Sequence, residues 1–130
     1  MKDELLTAPP AMKWFTFAQG IEMTLLYTSE ETGRWVVMFR CEPGSSFGKH
    51  RHLGAGEYYV IKGKMSYRMG EATTGTYGYE PLEAIHDYTW FPEYTELLFT
   101  NFGPIAFLGE KDEIISILDH KVLREMSEKS

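Results

Sequence analysis

The sequence predicts an all-β domain that ends in one short α-helix. Short segments rich in valine, threonine and aromatic residues recur along the chain, and glycine or proline separates most of them. Only the C-terminal segment has the pattern expected of a substantial helix. With 130 residues, of which 43% are apolar, the chain is long enough for a single domain with a hydrophobic core.

The predicted elements follow one another with turns between them. Residues 1–11 form an N-terminal arm, with a turn of helix expected at 3–6. The predicted strands are then residues 12–17, 21–28, 34–42, 57–61, 64–69, 73–79, 86–90, 96–101, 105–108 and 113–118. Asp119 is a suitable N-cap for the terminal helix, which is expected over 119–127.

The strand predicted over 34–42 has the clearest alternation. One face carries Trp35, Val37, Phe39 and Cys41, and the other carries Val36 and Met38. Because both faces are apolar, we expect a sandwich or closed barrel whose outer face contacts another subunit. Such an outer face is consistent with a homodimer or a higher homo-oligomer.

Charge and composition exclude several classes of protein. The net charge of −6 and the lack of a lysine and arginine cluster argue against nucleic-acid binding. No apolar segment is long enough to span a bilayer, so no membrane association is expected. Cys41 is the only cysteine, which excludes an intrachain disulfide. The first residues lack the apolar segment of a signal peptide, so a cytoplasmic location is expected.

Three histidines form a candidate metal site. His50 and His52 are two residues apart, so on a strand their side chains point to the same face. His86 lies 34 residues after His52 in a second stretch interrupted by glycine and proline. Neutral imidazoles on rigid strands suit Fe(II), Zn, Ni, Cu or Mn, and three protein ligands leave open positions for catalysis. His120 lies among charged residues in the predicted helix and is expected to be solvated.

The spacing around these histidines resembles the two motifs of the cupin family. The first motif, G-x5-H-x-H-x3-4-E-x6-G, is matched by Gly44, His50, His52 and Gly63, and the second, G-x5-P-x-G-x2-H-x3-N, by Gly75, Pro81 and His86. Glu83 and Trp90 replace the second glycine and the asparagine of that second motif. The resemblance implies a double-stranded β-helix, or jelly-roll barrel, with the metal-binding core over residues 43–108.

The position of the cupin glutamate holds Gly56, and Glu57 follows one residue later. Because side chains alternate along a strand, Glu57 is expected to face away from the barrel interior, while Tyr58 and Val60 face inward toward the pocket. The preferred prediction is therefore a site of three histidines without a carboxylate ligand. A distortion of the loop at 54–56 would instead turn Glu57 inward as a fourth ligand.

A cupin with three histidines and no glutamate resembles the acetylacetone dioxygenases, which cleave C–C bonds of β-diketones with Fe(II) and O2. It is also similar to the 2,4'-dihydroxyacetophenone dioxygenases and to the cupin domain of ChrR-type anti-sigma factors. The resemblance implies a polar group of Tyr58, Arg68 and Glu80 near the metal, with Phe47 at the mouth of the pocket. A buried arginine needs a carboxylate partner, so Arg68 is expected to pair with Glu80.

The function implied by the resemblance is that of a dioxygenase that cleaves a C–C bond of a small dicarbonyl or aromatic ketone with O2. Fe(II) is the expected cofactor, and Zn, Ni or Mn would fit the same three nitrogens. Two alternatives remain at this point. One is a Zn-binding sensor or interaction module of the ChrR type, and the other is a cupin isomerase.

Overall fold

The structure is a computed structural model, and it describes residues 4–130. Over these residues the chain is mainly β-structure. The strands are β1 Trp14–Ala18, β2 Ile21–Thr28, β3 Trp35–Cys41, β4 Ser46–Phe47, β5 His50–His52, β6 Gly56–Lys62, β7 Lys64–Tyr67, β8 Gly70–Thr73, β9 Tyr77–Glu80, β10 Ile85–His86, β11 Thr89–Trp90, β12 Thr95–Asn101, β13 Ile105–Leu108 and β14 Ile114–Leu118. A 3-10 helix, Pro9–Ala11, precedes β1, and the helix α1, His120–Glu128, follows β14.

The strands form three sheets in which neighbouring strands are antiparallel. The first sheet has the order β1-β2-β3-β12-β6-β9, the second β10-β5-β13-β14 and the third β4-β11-β7-β8. Side chains from all three sheets contribute to one hydrophobic core. This architecture confirms the predicted all-β class with a short C-terminal helix.

The strand β3 shows the predicted alternation. Its inward side chains, Trp35, Val37, Phe39 and Cys41, are at most 5% exposed. The Trp35 indole N–H donates a hydrogen bond to the Gly103 carbonyl oxygen at 3.1 Å, which satisfies its polar group inside the core. Val36 and Met38 lie on the outer face and are half-buried. The subunit interface expected on that outer face stays a prediction.

Some predicted strands are divided in the structure. The segment 73–79 holds the end of β8 and most of β9, with a turn at Gly75, where φ is 87°. Glycine adopts this left-handed conformation without the steric cost that other residues meet. The segment 86–90 likewise holds the end of β10 and all of β11, and the two-residue strand β4 was not predicted.

The C-terminal end of the described chain forms the predicted helix, whereas the N-terminal end lacks the predicted turn of helix. The Asp119 carboxylate accepts a hydrogen bond from the Val122 N–H at 2.9 Å, which confirms the predicted N-cap of α1. Leu123 is fully buried where α1 packs against β1 and β2. The turn of helix expected at 3–6 is absent from residues 4–6, and residue 3 lies outside the described residues.

In the part of the chain that the structure describes, no helix has the length and apolar character needed to cross a bilayer.

Candidate metal centre

Two short paired strands position the three histidines. His50 and His52 lie on β5, and His86 lies on β10 directly opposite His50 in an antiparallel register. The strand β13 pairs with the other edge of β5 and places Phe107 opposite His50. Because β5 lies between two strands, its backbone is held on both sides and the imidazoles have fixed directions.

The imidazoles of His50, His52 and His86 meet in a buried cluster. The three side chains are 7%, 0% and 2% exposed, respectively. One ring nitrogen from each of the three lies within 4.8 Å of the others, and the ring centroids are 5.1–5.4 Å apart. The structure therefore brings together all three predicted ligands.

The protonation state of His50 suits a metal ligand. Its Nδ1 lies 2.8 Å from the Gly48 carbonyl oxygen, and because a carbonyl can only accept, Nδ1 carries the proton. This leaves the lone pair on Nε2 free. Burial lowers the pKa of His50 to about 4, although the bond to Gly48 opposes the shift. His50 is therefore neutral at physiological pH.

The ring nitrogens of His52 and His86 make no hydrogen bonds among the described residues. Buried polar atoms nearly always have a partner, so this pattern needs an explanation. A divalent ion of the Fe, Zn, Ni or Mn type would satisfy lone pairs on these nitrogens, since such ions accept neutral imidazole. The residues therefore fit a metal bound by three histidines.

A buried carboxylate lies beside this cluster. Glu80, at the end of β9, is 5% exposed, and its oxygens are 2.8 Å from His86 Nε2 and 3.3 Å from His52 Nε2. Burial raises the pKa of Glu80, yet the two imidazoles outweigh it and hold the pKa down to about 2. The group therefore carries a negative charge next to the candidate metal ligands.

The glycine at position 56 leaves no room for a side chain at this point of β6, and the buried carboxylate of the site lies on β9 instead. A side chain at 56 would place its Cβ 2.8 Å from Asn101 Oδ1 and 2.9 Å from Phe99 Cε1, closer than real contacts allow. Gly56 pairs directly with Glu80 across β6 and β9. The negative charge thus enters the site from the neighbouring strand, opposite the position where the cupin motif has its glutamate.

Glu57 lies on the other face of β6. Its carboxylate accepts a hydrogen bond from the Tyr77 hydroxyl at 2.5 Å in an exposed position. This orientation agrees with the preferred prediction of three histidines. The alternative, in which Glu57 turns inward as a fourth ligand, is not adopted.

Arg68 does not lie in the barrel interior, and the expected ion pair between Arg68 and Glu80 is not formed. The strand β7 ends at Tyr67, and Arg68 lies exposed in the turn that leads to β8. Met65 and Tyr67 share the inward face of β7, so the alternation would direct Arg68 outward even if the strand continued. The neighbours of the Glu80 carboxylate are instead the imidazoles of His52 and His86.

Tyr58 faces inward, as predicted, and meets a tyrosine that the sequence did not single out. The Tyr58 and Tyr67 hydroxyls are 2.7 Å apart, and the Tyr67 ring centroid is 5.4 Å from that of His86. Burial raises the pKa of both tyrosines, so both remain neutral hydrogen-bond donors. Tyr67 is two residues from the buried Met65 on β7, so the alternation places both side chains on the same inward face.

Gly78 makes room for the Tyr58 ring. The two residues are paired across β6 and β9, and a Cβ at Gly78 would overlap the ring of Tyr58. We expect Gly78→Ala to lower the free energy of unfolding by about 1–3 kcal/mol, because a rigid ring must move. Urea denaturation followed by fluorescence measures this change.

Gly48→Ala is the matched control for Gly78→Ala. A Cβ at Gly48 meets nothing within 4 Å, so the control should change the free energy of unfolding by no more than about 0.5 kcal/mol. Equal stabilities for the two variants would show that the Tyr58 ring does not depend on Gly78.

The histidine cluster borders a mainly apolar cavity through His50. Its wall contains Phe17, Trp35, Phe39, Phe47, His50, Met65, Glu80, Thr89, Phe99, Asn101, Ile105, Phe107 and Leu118. Phe47 thus lies in the predicted pocket, with its ring centroid 6.3 Å from that of His50. Val60 is fully buried in the core, but it is not part of this wall. A small ligand with an apolar body and a few polar atoms suits such a cavity.

Three antiparallel sheets around one core, with histidines on two short paired strands, define a cupin fold with a candidate metal centre. A model for the family described as ChrR Cupin-like domain matches residues 2–106. The chain belongs to this family of cupins, which confirms the resemblance drawn from the two motifs.

Relatives and solved structures agree with this assignment. The acetylacetone-cleaving enzyme of Acinetobacter johnsonii is 40% identical over 103 residues, which are 75% of this chain and 67% of the relative. The crystal structure of an acetylacetone dioxygenase from the same organism superposes with a TM-score of 0.89 and 30% identity, over 99% of this chain and 93% of the other. A candidate acetylacetone dioxygenase from Methylibium petroleiphilum gives a TM-score of 0.90 and 34% identity, over 96% and 94% of the two chains. These similarities and the buried histidine cluster support a cupin dioxygenase.

Proposed function

We propose that the protein is a non-haem Fe(II)-dependent dioxygenase that cleaves a C–C bond of a β-diketone or a hydroxyketone. The observation that carries this proposal is the buried cluster of His50, His52 and His86 beside the Glu80 carboxylate. Of these residues, His50 and Glu80 line a mainly apolar cavity. The similarity of the chain to acetylacetone-cleaving enzymes supports the choice of substrate class.

The chain's own residues have distinct tasks in this proposal. When bound, the ion would supply Lewis acidity toward the two oxygens of a dicarbonyl, and Fe(II) would also supply redox chemistry with O2. His50 presents Nε2 because its Nδ1–H is bonded to Gly48. Glu80 places a negative charge beside His52 and His86, which favours the binding of a cation by the adjacent ring nitrogens.

The cavity wall selects the substrate and excludes water. Phenylalanines at 17, 39, 47, 99 and 107 give it a mainly apolar surface, which favours alkyl or aryl groups on a small ketone. In the overall reaction, the C–C bond next to a carbonyl carbon breaks, and each carbon of that bond gains one oxygen atom from O2. A β-diketone thus yields one carboxylate and one dicarbonyl product, with no further oxidant required.

The test is oxygen uptake by protein loaded with Fe(II) under anaerobic conditions. We expect O2 consumption that depends on added pentane-2,4-dione or 2,4'-dihydroxyacetophenone, with one O2 consumed per substrate molecule. Protein without added metal is the control and should consume no O2. Fully loaded protein that consumes no O2 with any diketone or hydroxyketone would contradict the proposal.

The family's description favours a second candidate, a Zn-binding sensor or interaction module of the ChrR type. The same three nitrogens would bind Zn. Metal competition separates the two candidates. A sensor would retain Zn tightly and bind a partner protein without turning over ketones, whereas the dioxygenase would turn over ketones when loaded with Fe(II).

A further inference from the structure

Asn101 is a buried polar residue for which the fold gives no partner. It is the last residue of β12, and its side chain is 1% exposed. Neither its amide oxygen nor its amide nitrogen has a hydrogen-bond partner within the described chain. The residue belongs to the same cavity wall as His50 and Glu80.

The amide lies close to the metal ligands. Asn101 pairs with Gly56 across β12 and β6. A Cβ at Gly56 would be 2.8 Å from Asn101 Oδ1 and 3.4 Å from His52 Cε1, so both atoms border the same small space. The Asn101 amide therefore fills the space in which a side chain at position 56 would begin.

The Asn101 amide makes no hydrogen bond that would stabilise the folded state. The Trp35 indole, which also lines the cavity, is already bonded to the Gly103 carbonyl. The two ionisable residues in the wall also have polar neighbours, since His50 is bonded to Gly48 and Glu80 lies beside two imidazoles. A buried polar group without a hydrogen bond destabilises the folded state, and leucine would fill nearly the same volume without that cost. The amide thus fits a role toward a ligand better than a role in the core.

We propose that Asn101 recognises the substrate, with its amide N–H donating to an oxygen of a ligand that enters the cavity. This inference rests on the proposed function, because it takes the ligand to be a small dicarbonyl. The two oxygens of an ionised dicarbonyl can only accept hydrogen bonds, and the rest of the molecule is apolar. Asn101 supplies a neutral donor at an otherwise mainly apolar wall, so it would discriminate dicarbonyls from apolar compounds of the same size.

The experiment measures ligand binding without turnover. Zn-loaded wild-type protein and Asn101→Leu are titrated with pentane-2,4-dione by calorimetry, and the thermal midpoint is measured without ligand. We expect the dissociation constant to rise about tenfold in Asn101→Leu, because one hydrogen bond to the ligand is lost. The thermal midpoint should stay equal or rise, because a buried group without a partner has been removed.

Two controls make the result specific. Thr100→Val changes the neighbouring residue on the outer face of β12 and should leave the dissociation constant unchanged. Azide, which binds metals but has no carbonyl oxygen, should bind Asn101→Leu with nearly wild-type affinity. A dissociation constant for pentane-2,4-dione within about twofold of wild type would overturn the proposal, as would equal losses for azide and the diketone.

A second variant at position 101 keeps the test decisive when the first variant fails to fold. If Asn101→Leu does not fold, Asn101→Ala is titrated in the same way, and the same tenfold and twofold criteria apply. The binding result is independent of catalysis. Diketone binding that depends on Asn101 in a protein without O2 uptake would uphold this inference and defeat the dioxygenase proposal. O2 uptake by the loaded protein, together with a dissociation constant of Asn101→Leu within about twofold of wild type, would overturn this inference and support the dioxygenase proposal.

Discussion

We expect His86→Ala to lose metal binding and, with it, all diketone-dependent O2 uptake. The variant leaves two imidazoles, both on β5, and removes the ligand that joins β10 to the site. Loss of a residue that merely orients a metal ligand costs about 10–100-fold in metal affinity. Loss of a ligand itself should therefore cost at least about 100-fold. Metal analysis after dialysis and oxygen-electrode assays measure the two effects.

His120→Ala is the matched control, since it removes the fourth histidine of the chain. His120 lies on α1, where its Nε2 is 3.3 Å from a Glu30 oxygen. This variant should bind metal and consume O2 like the wild type. A His86→Ala protein that retained one equivalent of metal with wild-type activity would show that the three-histidine cluster is not the metal site.

We expect Glu80→Gln to lower either metal affinity or kcat/KM by about 10–100-fold. Glutamine keeps the shape of the side chain but removes the negative charge beside His52 and His86. Calorimetric titration with Zn and oxygen uptake with Fe(II) separate an effect on binding from an effect on turnover. Circular dichroism establishes that the variant is folded.

Glu57→Gln serves as the control for Glu80→Gln. The two residues lie on the paired strands β6 and β9, but Glu57 is on the outer face, bonded to Tyr77. Metal content and activity should therefore match the wild type. If Glu57→Gln lost metal while Glu80→Gln retained it, Glu57 rather than Glu80 would be the functional carboxylate.

The predictions that succeeded rest on the alternation of side chains along a strand. His50 and His52 share a face because they are two residues apart, and the inward residues of β3 follow the same rule. The same rule correctly placed Glu57 outside and Tyr58 inside. Such patterns are local, so the sequence alone was sufficient to find them.

The predictions that failed depend on where strands end and how they pair. Arg68 lies in the turn after β7, and the alternation from the buried Met65 gives the inward position to Tyr67 instead. The contact of Glu80 with two imidazoles depends on the register of β6 with β9, which pairs Gly56 with Glu80. Asn101 was missed for the same reason, since only the three-dimensional fold places it beside the histidines.

The most direct test of the dioxygenase proposal is turnover of pentane-2,4-dione under ¹⁸O2 by Fe(II)-loaded protein, with products analysed by mass spectrometry. The account predicts one labelled oxygen atom in the carboxylate product and one in the dicarbonyl product, and no products from protein in which His86 is alanine. Products labelled only from water, or no cleavage by protein with a full equivalent of iron, would contradict it.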